Sequence, residues 1–258
     1  MTPVHFEIKN SIAFITLNRP EKFNAFNREM TLALHQKLDE CETNISVRCV
    51  YITGAGKGFS SGQDLAEVME SNGHGMNEIV AEYYNPIIKK IRNLSKPVLA
   101  VVNGVAAGAG ANIALCCDVV IASESATFIQ AFSKIGLIPD SGGTYFLPLL
   151  IGFQKASALM MFGDKISAKE AECCGMIYKY FPDNTFMSEA QKMALQLAQL
   201  PTRALAFIKE ALNKSFEQTL EQQLATEDLL QQKAGATNDF KEGIAAFIEK
   251  RKAHFKGD

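Results

Sequence analysis

The run Pro97-Val98-Leu99-Ala100-Val101-Val102, followed at once by Asn103-Gly104-Val105-Ala106-Ala107-Gly108-Ala109-Gly110, constrains this chain more than any other stretch. Its first part is apolar and rich in β-branched side chains, which predicts a buried strand. Ala109 to Cys116 is rich in helix formers and free of proline, which predicts a helix. The turn between them carries almost no side chains, so a ligand can approach its backbone. The helix start presents N–H groups with no internal partner. With the helix dipole behind them, such groups suit a phosphate, a carboxylate or an oxyanion. Three readings compete: tight strand–helix packing, a dinucleotide fingerprint, and an oxyanion hole. The fingerprint needs a third glycine where Ile113 stands and is set aside. An oxyanion hole needs a second donor and a catalytic group from elsewhere in the chain.

A second junction of the same kind follows the strand-like Cys49-Val50-Tyr51-Ile52-Thr53. Its loop, Gly54-Ala55-Gly56-Lys57-Gly58, is not a P-loop, because Gly58 stands where Ser or Thr is required and the glycine spacing fails. Phe59-Ser60-Ser61-Gly62-Gln63-Asp64-Leu65 then passes into a helix and offers further free backbone donors. A third junction is Pro139-Asp140-Ser141-Gly142-Gly143-Thr144, a turn feeding a helix.

Around these junctions the pattern is regular. Residues 5–9 and 12–17 predict a β-hairpin about Asn10-Ser11, and Arg28 to Cys41 carries a helical apolar stripe. Ser71-Asn72-Gly73-His74-Gly75 reads as a break, and a helix is expected from about Asn77 to Leu94, kinked near Pro86. Residues 118–122, 126–129 and 177–181 read as strands. Ser167-Ala168-Lys169-Glu170 is a capping box, and Gly175 ends its helix. Helices follow at about 186–200, 203–216, 218–234 and 239–252. Strand–helix alternation thus gives way to helix alone. The expected class is α/β, with residues 1–195 forming a core of strand–strand–helix turns and residues 196–258 a helical extension.

The chain has 258 residues, 47% of them apolar, enough for a sizeable core. A net charge of −2 gives no general attraction to nucleic acid or to an anionic membrane. No apolar run is long enough to span a bilayer. The six cysteines, two adjacent pairs among them, lack C-x-x-C spacing, and the four histidines are scattered. Neither a zinc site nor a disulfide framework is expected, and no metal. Reduced thiols, an N-terminus that enters strand-like sequence directly and a C-terminus unlike a peroxisomal address lead to an expected cytoplasmic location.

Asn18-Arg19-Pro20 with Asn24-Ala25, Gly58 through Leu65, Asn103-Gly104 through Gly110, Cys117-Asp118, Gly136-Leu137-Ile138-Pro139 with Gly142-Gly143-Thr144, and Phe247 to Lys252 with Phe255 together resemble the crotonase (enoyl-CoA hydratase/isomerase) superfamily. The resemblance implies a spiral of ββα repeats with a helical C-terminal trimerisation region, an acyl-CoA thioester as substrate, and a homotrimer or dimer of trimers. Coenzyme A belongs to the substrate, and no separate cofactor is implied. By motif, the N–H groups of Gln63 and Ala109, flanked by Gly62, Gly108 and Gly110, are the implied oxyanion donors. Lys22, Phe23, Ala25, Ser60, Ser61, Gly62, Asp64 and Leu65 are the implied substrate groove, with Phe132 and Pro139 beside the acyl group. Lys250 is a further candidate for the CoA phosphates.

The departures from the pattern bear on the reaction. Hydratases of the family carry two glutamates at places that align here with Asn112 and Phe132. Adding water to a double bond asks one carboxylate to activate water and another to handle the α-proton. This chain instead has Asp140 directly after Pro139, as in the isomerases of the family. A single carboxylate suits a proton moved from one carbon to another, and apolar neighbours would raise its pKa for that task. Helix capping is the competing role for Asp140. Residues 131–144 resemble the isomerases acting on 3-enoyl-CoA and, more closely, the branch that converts ring-1,2-epoxyphenylacetyl-CoA to the oxepin. The aspartate-using dehalogenases of the family also need a tryptophan, and this chain has none. The expected activity is therefore enoyl-CoA isomerase. A hydratase and a non-catalytic acyl-CoA-binding module are the alternatives.

Overall fold

The computed structural model describes residues 2–69, 75 and 78–258. The expected break at Ser71 to His74 and the helix start at Asn77 lie outside them. Strands β1 (Val4–Lys9) and β2 (Ile12–Leu17) form the hairpin, with Lys9 opposite Ile12. Asn10 and Ser11 both take positive φ, as a two-residue turn matching the strand twist demands. Helix α1 (Arg28–Thr43) starts at Asn27, whose side chain accepts from the Met30 N–H.

The middle of the chain then repeats one figure. Strand β3 (Cys49–Gly54) is followed by β4 (Gly58–Ser60) and helix α2 (Leu65–Met69). A π-helical turn (Ile79–Tyr84) runs into α3 (Asn85–Asn93) and returns the chain to β5 (Val98–Val102), β6 (Val105–Ala107) and helix α4 (Ala109–Leu115). Strands β7 (Val119–Ser123) and β8 (Thr127–Ile129) come next, then a 3₁₀ turn (Ala131–Ile135) and helices α5 (Gly143–Ile151) and α6 (Phe153–Phe162). Each time the first strand joins a six-stranded sheet and the second a four-stranded one, so successive repeats wind as a spiral. With β9 (Lys165–Ser167) and β10 (Lys179–Phe181), the sheet orders are β1-β2-β3-β5-β7-β10 and β4-β6-β8-β9. Pairing is parallel except at β1–β2 and β8–β9. Helix α7 (Ala168–Cys173) lies between β9 and β10 and carries the expected capping box of Ser167 and Glu170.

Both faces of the large sheet are covered, which explains the unbroken apolar strands of the sequence. Val50, Ile52, Val98, Ala100 and Val102 face the main core with Leu34 and Leu38 of α1 and Ile87 and Ile91 of α3. Cys49, Tyr51, Leu99 and Val101 face the other way, against Phe186, Ala190, Ala194 and Ala198 of α8 (Asp183–Gln199). Alanine at every fourth position lets that helix lie close to the sheet. Helices α9 (Thr202–Ser215), α10 (Leu220–Gly235) and α11 (Asn238–Ile248) complete the chain.

The structure departs from the sequence reading in three places. Pro86 does not bend a continuous α-helix. The turn before it widens instead, the Asn85 N–H reaching the Val80 carbonyl, because proline has no N–H to continue the α pattern and its ring crowds the preceding turn. Strands β4, β6 and β9, three residues each, were not expected, because so short a run shows no alternation. Helix α11 stops at Ile248 rather than 252. Lys250 there takes a left-handed φ of 53°, the Arg251 N–H returns to the Ala246 carbonyl, and the Arg251 guanidinium bonds Glu242 and Glu249.

One charged cluster ties the helical tail to the spiral. Asp118, just before β7, accepts from Arg92 at 3.1 Å, from Lys209 of α9 at 2.7 Å and from the Val98 N–H at 2.8 Å. Burial pulls the Lys209 amine below its ordinary pKa, and the Asp118 charge works against that pull. Asp118→Ala leaves two cations facing one another with no anion. The expected cost is about 3–5 kcal/mol, read as a lower urea midpoint of unfolding. A midpoint matching the wild type would show the pair to be solvated.

Candidate active site

The two glycine-bearing junctions meet backbone to backbone. A Cβ on Gly62, whose φ is +91°, would stand 2.9 Å from the Ala107 carbonyl oxygen and 3.4 Å from the Ala109 nitrogen. A Cβ on Gly110 would stand 2.6 Å from that of Ser60. Gly108, with φ 51° and ψ −127°, turns β6 into α4 in a conformation open only to glycine. Gln63 and Ala109 thereby line one cavity of about 190 Å³, and each carries a main-chain N–H. Among the described residues neither N–H has an acceptor of its own.

The loop before α1 fixes the first junction. Asn24 is wholly buried. Its amide donates to the carbonyls of Ala55 and Gly58 at 2.9 and 2.8 Å, and its oxygen accepts from the Arg19 N–H. Arg19 pairs with Asp64 at 2.9 Å and donates to the Ala25 carbonyl. The Phe26 N–H donates to Gly62, and the Asp64 N–H donates to Phe26, so Gln63 is held between two backbone bonds. Ser60 donates to the Asn24 carbonyl from a fully buried position. Ala25, Ser60 and Asp64, expected in the substrate groove, are thus engaged in holding the backbone behind it. Lys22 and Phe23 are exposed above Ser61, whose hydroxyl donates to the Lys22 carbonyl. Ser61, Gly62 and Leu65 line the cavity, as do Gly108 and Phe132, whereas Pro139 and Gly110 lie outside its wall. No hydrogen bond or ion pair among the described residues ties Lys250 to it.

Asp140 reaches the same cavity from the third junction. Burial raises its carboxyl above the ordinary carboxylate range, opposed by the Ser141 hydroxyl, which donates to Oδ1 at 2.9 Å. Its main chain is braced from behind. Asn112 Nδ2 donates to the Asp140 carbonyl at 2.8 Å, and Gln130 Nε2 donates to Asn112 Oδ1 at 2.7 Å. Gly143 has no side chain because a Cβ would stand 2.3 Å from that Asn112 nitrogen. Ser141 and Gly142 take left-handed φ values of 52° and 73°, which turns the chain sharply enough to aim Asp140 inward. Asp140 therefore does not cap α5; Gly142 holds the cap position, with no side-chain bond there.

The walls are otherwise apolar: Leu65, Ile79, Phe132, Ile135 and Leu137. Tyr84 and Lys134, not picked out from the sequence, also line the cavity. Tyr84 donates its hydroxyl to Gln63 Oε1 at 2.6 Å, and Lys134 stands at the exposed rim. Nothing in residues 79–84 distinguishes Tyr84 from Tyr83; only the π-helical turn aims it here. Among the described residues no group of three or more His, Cys, Asp or Glu side chains is arranged to hold a metal, and no helix is long and apolar enough to cross a membrane.

Comparison with known proteins agrees with the whole-chain layout. The enoyl-CoA hydratase/isomerase family pattern matches residues 7–258. The chain is similar to the 1,2-epoxyphenylacetyl-CoA isomerase of Escherichia coli K12, with 43% identity over 253 residues that cover 97% of both chains. It is equally similar, at 43% identity over 258 residues and 98% of both chains, to a Rhodobacter capsulatus protein named "Probable enoyl-CoA hydratase". The solved enoyl-CoA hydratase of Bacillus anthracis superposes with a TM-score of 0.92 at 31% identity, covering 99% of this chain and 100% of that one. Two glycine-built junctions, the spiral that brings them together and this likeness along the full length lead to one conclusion: the chain belongs to the enoyl-CoA hydratase/isomerase family, the crotonase superfamily, and is an enzyme of that family.

Proposed function

We propose that this enzyme is an acyl-CoA isomerase in which Asp140 moves a proton between two carbons of a thioester held by the Gln63 and Ala109 N–H groups. The observation that carries the proposal is one inward-facing carboxylate, dry enough to have a raised pKa, in the cavity that holds two unpaired backbone donors. In a 3-enoyl-CoA, the Asp140 carboxylate takes a proton from C2. The electron pair flows to the thioester oxygen, whose new charge the two N–H groups stabilise. Asp140, now protonated, returns the proton to C4, and the double bond lies between C2 and C3. No atom is gained or lost, so neither water nor a separate cofactor is needed.

The apolar walls keep water from the enolate and favour the protonated acid between the two half-reactions. Ring-1,2-epoxyphenylacetyl-CoA, converted to its oxepin, is the second substrate class proposed. The name of the E. coli relative supports it, and Phe132 and Tyr84 are among the residues lining the cavity. Hydration is the competing reading, favoured by the name of the R. capsulatus relative. Among the described residues lining the cavity it has no second acid. Asn112 is spent on the Asp140 carbonyl, and Glu67, the nearby carboxylate on α2, accepts from the Arg28 N–H.

Association as a trimer or paired trimers is part of the same proposal. Helices α9 to α11 expose Ile208, Leu212, Leu224, Phe240 and Phe247, more apolar surface than a solvated tail usually presents. Sedimentation at micromolar concentration should give three or six copies per particle; a stable monomer would refute this.

Asp140→Asn should lower isomerisation by about 10²–10⁴-fold while acyl-CoA affinity stays near wild type, because the thioester donors are main-chain groups. Near wild-type isomerisation in that variant, or wild-type enzyme that mainly hydrates 2-enoyl-CoA, would overturn the reading. The pH profile supplies a separate check. The base is active only when ionised, so kcat/KM should fall as pH drops through a pKa above the ordinary value of about 3.9. Ser141→Ala removes a donor to the charged form, so that acid limb should move to still higher pH.

A further inference from the structure

Tyr84 stands where three observations meet. Its hydroxyl donates to Gln63 Oε1 at 2.6 Å, and its ring meets Phe26 edge-on, centroids 6.0 Å apart. Phe26 is the residue whose main chain bonds Gly62 and Asp64 on either side of Gln63. Tyr84 therefore touches Gln63 twice, directly through its side chain and indirectly through the backbone bridge. Its phenol is nearly inaccessible, with 1% of the residue exposed, so solvent reaches this bond only from the half-buried Gln63 side. Burial, then the nearby Asp140 and Glu67 carboxylates, keep that phenol protonated and hence a donor. The residue ends the π-helical turn at Ile79–Tyr84, a widened turn of the kind that often marks functional positions.

We infer that Tyr84 is a positioning residue for the oxyanion hole: its hydrogen bond to the Gln63 side chain, with its ring against Phe26, holds the Gln63 N–H aimed at the thioester oxygen. The inference rests on the oxyanion-hole reading of Gln63 and Ala109. A donor in such a hole is effective only when it is already oriented as charge develops. The Gln63 side chain is the added handle, because Gly62 before it carries no side chain to brace the peptide and the Gln63 N–H itself has no acceptor among the described residues. Tyr84 makes no bond to the reacting atoms in this account. Its loss is therefore a loss of orientation, not of an acid or base.

The test uses a conjugated thioester, 2,4-hexadienoyl-CoA, whose near-ultraviolet absorption moves to longer wavelength when its carbonyl is polarised. Measured in the Asp140→Asn background, which prevents turnover, bound probe should show a red shift. Adding Tyr84→Phe should remove most of that shift while probe affinity changes less than about threefold. In the otherwise wild-type enzyme, Tyr84→Phe should lower kcat about 10–100-fold with KM within about threefold, less than the loss of a whole donor. Gln63→Leu keeps the main-chain N–H and removes the acceptor. It should give the same losses, and the double variant should be no worse than either single one. A full red shift and wild-type kcat in Tyr84→Phe would overturn the inference, as would multiplied losses in the double variant. No red shift in the Asp140→Asn protein itself would overturn the oxyanion-hole reading and this inference with it. Gln63 lies at the cavity wall outside the core, so its variant reports even where a change at Tyr84 weakens folding.

Discussion

Everything at this site depends on two main-chain segments touching without side chains between them. Residues 60–63 and 107–110 come from different repeats, yet they approach until a Cβ on Gly62 or Gly110 would overlap its neighbour. Only parallel pairing of β4 with β6 brings the segments into line, and only glycine lets them close. A helix start that elsewhere would bond to a cap or to water then contributes its N–H to a cavity. Donors left without a protein acceptor beside a cavity suit a developing negative charge, as proposed for this site.

The surrounding structure is arranged to keep those donors still. Asn24 and Arg19 satisfy four partners on neighbouring loops, and a two-residue backbone bridge from Phe26 holds Gln63. On the other side, Gln130 holds Asn112, and Asn112 holds the Asp140 carbonyl. These polar side chains bond largely main-chain atoms. This division fits the proposed backbone hole: side chains give rigidity, and main-chain donors are left to meet the charge.

One carboxylate among apolar walls also sets the electrostatic character of the cavity. Asp140 pays a desolvation penalty that raises its pKa, and Ser141 moderates it. A second buried acid nearby would compete for the same proton and raise both further. Among the described residues Asp140 is the one carboxylate in the cavity wall, with asparagine and phenylalanine at the two places marked by the resemblance.

The sequence alone determined the elements and the chemistry available to them. Unbroken β-branched runs announced buried strands, and glycines at strand–helix junctions announced a backbone open to close approach. Asp140 after Pro139 was legible as the candidate acid, because its residue type and its motif are both local. Strands β4, β6 and β9 were illegible because pairing, not pattern, makes them strands. Tyr84 was illegible for a related reason. Its role needs Gln63, 21 positions away, and a π-helical turn whose path no periodicity reveals. Tertiary structure also showed what Ser60 and Asp64 bond, the Asn24 carbonyl and the Arg19 guanidinium, since burial and pairing are properties of neighbours. Local sequence specifies which groups exist and which backbone shapes are allowed. Which of them face one cavity is decided by contacts between distant repeats, and those form only when the spiral closes.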